Sequence, residues 1–246
     1  MKNNLDVLIV CGQGTYIDGR YYTEYHDRDV YLTHAINVRN IVSIFNYSHI
    51  VCSGGFTQKA TPHLSEARSF ENIWTDTNTY PNIDGGNIFF DECSLDSAEN
   101  VYLGLMELRK QVGSGPKIRR IGVFTAWKFK KSRFTYLAQE LGIIERFYFH
   151  GQAHADESSV GDLASKGEYK QLKRIIDTGD YLLLTKEWEQ KRRERYHGTN
   201  FNMRLEHLRE YFNKSFTVLD EIRTYGVNDD RRKKLQEALR LEVIEP

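Results

Sequence analysis

No run in this 246-residue sequence is long and apolar enough to span a bilayer. The apolar stretch within "MKNNLDVLIVCGQG" is too short for a secretory h-region, and no small-residue cleavage site follows it. Neither export nor membrane insertion is therefore expected, and a cytoplasmic location is the default. An excess of charge of one sign is also lacking. Lys and Arg together number 34, as do Asp and Glu, so no global field recruits nucleic acid or an anionic membrane. Cysteine is scarce. Cys11, Cys52 and Cys93 stand far apart with no CxxC pair, and two lie inside apolar runs, which reads as buried thiols in a reducing compartment rather than a metal site. There is no internal repeat and no low-complexity segment.

What is present is an ordinary globular balance, 40% hydrophobic and 28% charged, on a chain long enough to bury a substantial core. Apolar runs of strand length recur at 5–11, 49–55, 87–92, 119–126 and 145–151. Between them, helical patterns occupy 28–45, 65–77, 96–112 and 129–142. Strands alternating with helices predict an α/β doubly wound, Rossmann-like fold with a mainly parallel sheet of about five strands. After about residue 183 the texture becomes charge-rich with both signs mixed. Leu205, Leu208, Tyr211 and Phe212 make one helical stripe there, and Leu235, Leu239 and Val243 another. The reading is a core domain over 1–182 and a helical C-terminal extension over 183–246, packed on the core or on a second copy as a homo-oligomer. The "KRRER" run at 191–195 reads as a solvated helix face, since neighbouring Glu residues neutralise it.

In such sheets ligands bind beyond the carboxyl ends of the strands. The distinctive residues fall there: "CGQGT" (11–15), "SGGFT" (53–57), "DECSLDSAEN" (91–100) and "TAWKFKKSR" (125–133). Gly12 and Gly14 would let backbone amides approach an anion, or would simply turn the chain. Ser53, Gly54 and Gly55 pose the same choice between an anion nest and a turn. "VCSGG" lacks the glycine two places before the serine that a nucleophile elbow requires, so a serine hydrolase is excluded. In the acidic turn, Asp96 with Glu99 makes a capping box and Ser94 is an alternative cap. Asp91, Glu92 and Asn100 are left unexplained by capping. Their partners on offer are Lys128, Lys130, Lys131, Arg133, Arg68 or a divalent metal, for which no diagnostic spacing is present. Glu66 and Arg68 stand at a helix start. His150 and His154 have metal-helix spacing, but Gly151 and a preceding strand argue against a helix there.

The ordered series "VLIVCGQGT", "IVCSGGFT", "SEARSF", "FDECSLDSAENV" and "FTAWKFKKSRF" resembles the SanA/YdcF-like family, named partly for the envelope factor ElyC. The family's third element fits Glu92, Ser94, Ser97, Glu99 and Asn100 in register. The resemblance covers about residues 5 to 142, and 167–195 resembles the C-terminal extension of a eukaryote-like branch. Many members carry Tyr-His and a downstream Arg where this chain has Phe129-Lys130 and Arg133, and an Arg where His34 stands. The resemblance implies a Rossmann-like fold and a nucleotide-type or S-adenosylmethionine-like ligand. It implies no agreed reaction.

The expected function is binding of an anionic, phosphorylated or nucleotide-like small molecule, with hydrolysis or group transfer as the reaction class. Ser53, Gly54 and Gly55 with Lys130 and Arg133 would hold the anion. Gly12, Gly14, Glu66, Arg68, Ser94, Ser97 and Thr125 would line the same edge. Glu92 or Glu99 would serve as general base, and Asn100 would orient the attacking group. S-adenosylmethionine and a divalent metal are the cofactors considered. For the former, Asp91 or Glu92 would meet the ribose. The competing reading is a non-catalytic sensor using the same crevice.

Overall fold

The structure is a computed structural model that describes residues 4–23, 28–113, 117–140, 143–153, 170 and 186–197. Strand β1 (Leu5–Cys11) is buried along its whole length, as its unbroken apolar run requires of a strand covered on both faces. It pairs in parallel with β4 (His49–Ser53) on one side and β6 (Ile118–Trp127) on the other. Beyond β4 lies β5 (Ile88–Asp91), and beyond β6 lies β7 (Phe147–Ala153), both parallel. The sheet order is β5-β4-β1-β6-β7, the doubly wound arrangement expected from the alternating pattern.

Alternate residues of β1 face opposite layers. Leu8 and Val10 pack with α1 (Arg28–Phe45) and α2 (Glu66–Thr77), while Val7, Ile9 and Cys11 pack with α3 (Ser97–Val112) and α4 (Lys131–Glu140). On α1 the buried residues Tyr31, His34, Ala35, Val38 and Val42 repeat at helical spacing. Ser65 caps α2 by accepting the Arg68 amide, and Asn78 ends it in the left-handed region. The chain leaves β1 toward one face and β6 toward the other. A topological switch point therefore opens between the carboxyl ends of β1 and β6.

A hairpin of β2 (Thr15–Ile17) and β3 (Arg20–Tyr22), which the strand pattern did not disclose, follows β1. Asp18 and Gly19 both have positive φ, the geometry of a two-residue Asp-Gly turn. The hairpin packs over α2, where the Tyr16 amide donates to Ser69 Oγ at 2.9 Å and Asn72 Nδ2 donates to the Tyr16 carbonyl at 2.8 Å. Within the C-terminal extension, helix α5 (Lys186–Arg195) is described. The domain boundary at 182/183, the stripes expected at 205–212 and 235–243, and His154 lie outside the described residues. Among the described residues no helix is long and apolar enough to cross a membrane.

Candidate functional site

The turn after β5 is built around Asp91. Its carboxylate accepts the Ser53 hydroxyl at 2.6 Å, the Ser94 hydroxyl, and the Cys93 amide at 2.9 Å. Burial pushes the Asp91 carboxyl above its ordinary value, and these three donors pull it back. Asn100 Oδ1 is a longer second acceptor for Ser53, at 3.2 Å. Asp91 thus ties β4 to the turn, and Ser53 links both to α3 through Asn100. Asp96 caps α3, its Oδ1 accepting the Ala98 and Glu99 amides at 3.0 Å each. The reciprocal half of the capping box is displaced by one residue, because Glu99 accepts the Leu95 amide, at 2.6 Å, instead of that of Asp96.

Glu99 has a further partner from far along the chain. Arg192 of α5 donates to Glu99 Oε2 at 2.5 Å and to the Cys93 carbonyl at 2.6 Å. Both side chains are buried, at 3% and 1% exposure. The arginine run at 191–195 is therefore not wholly a solvated face: Arg193, Glu194 and Arg195 are exposed while Arg192 is not. Tyr196 then packs on Phe56 and Leu95, and the His197 amide donates to the Phe56 carbonyl at 2.7 Å. In this structure Glu99 anchors α5.

The glycines after β1 and β4 serve close packing. The amides of Gly12, Gly54 and Gly55 donate to the carbonyls of Ser53, Asp91 and Ser94, so they form no open anion nest. The α2 amides of Glu66 and Ala67 are likewise taken, by the carbonyls of Gly55 and Gly54. What the missing side chains allow is Glu66. A Cβ on Gly12 would meet Glu66 Cβ at 2.5 Å, and one on Gly54 would meet it at 2.8 Å. The Glu66 carboxylate occupies that space, over the carboxyl end of β1. Its Oε1 accepts the Thr57 hydroxyl. Burial raises the Glu66 carboxyl above its ordinary value, against the pull of Thr57, Arg195, Lys130 and Gln58.

From the β6 side, Lys130 Nζ donates to Gln13 Oε1 at 3.2 Å, spanning the switch point. Arg133, in the first turn of α4, bears on Cys11 together with Lys130 and Glu66. The Cys11 thiol, also hydrogen-bonded to the Asn100 side chain, is pushed up to about 12, chiefly by burial. It stays protonated near neutrality and supplies no thiolate nucleophile. Thr125 is buried on β6, its Oγ1 accepting the Trp127 amide at 3.4 Å.

The structure thus brings together Gly12, Glu66, Asn100, Lys130 and Arg133, and adds Gln13 and Thr57, which sequence reasoning did not single out. It places Arg68 and Glu92 elsewhere. Arg68 stacks on Phe90 at 4.1 Å and pairs with Glu71 at 3.0 Å and Glu92 at 3.6 Å. That pair sits at edge strand β5, two strands from β1 and hence on the order of 10 Å from the switch point. Gly14 lies against the hairpin, where a Cβ would meet the Tyr22 carbonyl at 2.5 Å. Ser94 and Ser97 are buried at the start of α3. Among the described residues no group of three His, Cys, Asp or Glu side chains is placed to hold a metal ion. Comparison with protein-family models finds no match, and no curated protein or solved structure matches the chain.

Proposed function

We propose that the crevice between the ends of β1 and β6 binds an anionic small molecule, phosphorylated or nucleotide-like, and promotes its hydrolysis or group transfer. Lys130 and Arg133 hold the negative charge, and Glu66 serves as general base for the attacking water or hydroxyl. The observation that supports this reading is the placement of Glu66: two glycines clear space for its carboxylate over the carboxyl end of β1, where the charge of Lys130 acts on it. A carboxyl raised by burial is closer to the operating pH, where a general base works best. Thr57 fixes one of its oxygens, and Asn100 borders the site through Cys11. Glu66 thereby takes the role that sequence reasoning gave to Glu92 or Glu99. The motifs that resemble the SanA/YdcF-like family fall along this same strand edge, which supports a ligand site there.

The test separates binding from turnover. A phosphorylated compound that binds is assayed for phosphate release or transfer with the wild-type chain and with Glu66→Gln. The expected outcome is retained binding and a rate loss of about 10²–10⁴-fold. Equal turnover by both proteins would remove Glu66 from the chemistry. Binding without turnover in the wild type would favour a ligand sensor.

A further inference from the structure

Helix α5 docks on the acidic turn and on the loop after β4, and its charge is felt at Glu66. Arg192, Arg195 and Tyr196 are three and four residues apart and so share one face. Two of the three are clamped. Arg192 is held by Glu99 and the Cys93 carbonyl, and Tyr196 lies on Phe56 with ring centroids 5.6 Å apart. Phe56 is followed directly by Thr57, the residue whose hydroxyl binds Glu66. The clamp therefore delivers the third residue, Arg195, to the neighbourhood of the Glu66 carboxylate, where its charge acts alongside that of Lys130. Arg195 is exposed, and its guanidinium forms no hydrogen bond with any described residue. Holding a cation in place through a buried ion pair and an aromatic contact, while leaving its own donors open, suits a group that meets a ligand.

We propose that α5 is a working part of the ligand site and that Arg195 is an anion-holding residue in it, joining Lys130 and Arg133 in recognising a ligand with two negative charges, such as a diphosphate. The inference rests on the anion-binding reading of the crevice. Lys130, Arg133 and Arg195 bring three cationic side chains to the crevice, which suits a ligand with more than one negative charge. Sequence reasoning passed over Arg195 because alternating Arg and Glu residues on a helix read as a solvated face. Only the burial of Arg192 fixes which way that face turns.

The full-length chain is compared with Arg195→Ala and Arg195→Lys in two measurements. The first needs no ligand: the Glu66 side-chain carboxyl is titrated by carbon-13 NMR, assigned by its loss in Glu66→Gln. Removing Arg195 should raise the Glu66 titration midpoint, and Arg195→Lys should restore it. The second is calorimetric binding of ADP and of inorganic pyrophosphate. Arg195→Ala should weaken whichever probe binds by about tenfold or more, with Arg195→Lys intermediate and all melting temperatures alike. Wild-type affinity for a probe in Arg195→Ala overturns the proposal. If the wild type binds neither probe, the diphosphate assignment fails, and the titration decides the place of α5. A raised Glu66 midpoint then sustains it as part of the site, and an unmoved midpoint overturns it.

Discussion

Replacing Asp96 by Ala should cost about 1 kcal/mol of stability, within the 0.5–2 kcal/mol range of N-cap deletions, because two α3 amides lose their acceptor. Ligand affinity should be unchanged, since Asp96 faces the helix and not the crevice. Denaturant unfolding beside a binding curve checks both halves. His34 gives a pH-dependent expectation. Burial against Phe124 and Phe70 lowers it from 6.5 to about 3 in the folded chain. With the folded value depressed, its contribution is fully present above pH 6.5 and is lost as pH falls toward 3, because the unfolded chain takes the proton first. The slope from this residue is at most about 1.4 kcal/mol per pH unit. Glu66, Asp91 and Glu99 are all raised by burial, and they act oppositely: their contribution is present at low pH and lost as pH rises through their folded values. Unfolding of His34→Phe between pH 6.5 and 4.5 should show a shallower acid loss than wild type. An identical slope would place the protonation elsewhere.

At the scale of elements, the Arg192–Glu99 pair decides whether α5 stays on the core. Removing one partner of a buried ion pair costs about 3–5 kcal/mol when the other remains buried, whereas replacing both with apolar groups is often neutral. Arg192→Ala should therefore be strongly destabilising, or should release α5, seen as rapid amide exchange at Tyr196 and His197. The double variant Glu99→Leu with Arg192→Leu should recover most of the loss, and a double-mutant cycle reads the coupling. The five parallel strands and the α-helices described were legible in the chain, because hydrophobic period, turn residues and charge pattern report them directly. The hairpin was not: "TYIDGRYY" carries the Asp-Gly turn signal, but its strands are short and its tyrosines half-buried at most positions. The clustering of polar residues at the strand ends was legible in the chain. The division of labour among them was not. Glu92 and Glu99 resemble Glu66 as isolated residues, and the difference lies in partners distant in sequence. Arg68 takes Glu92, Arg192 takes Glu99, and the two glycines at 12 and 54 make room for Glu66.

For the whole molecule, sheet order and charge meet at one place. The chain leaves β1 and β6 toward opposite layers, and Gln13, Glu66, Lys130 and Arg133 gather where those connections part. A ligand bound only by the folded state would stabilise the chain by about 2.7 kcal/mol at a concentration of 100 Kd. The most direct measurement is therefore the melting temperature of wild type and Lys130→Ala, side by side, with AMP, ADP, a sugar phosphate and S-adenosylmethionine. The account predicts that at least one phosphorylated compound raises the wild-type Tm by several degrees and that Lys130→Ala, melting normally alone, loses the shift. A wild-type Tm unmoved by every phosphorylated compound, or a full shift retained in Lys130→Ala, would contradict it.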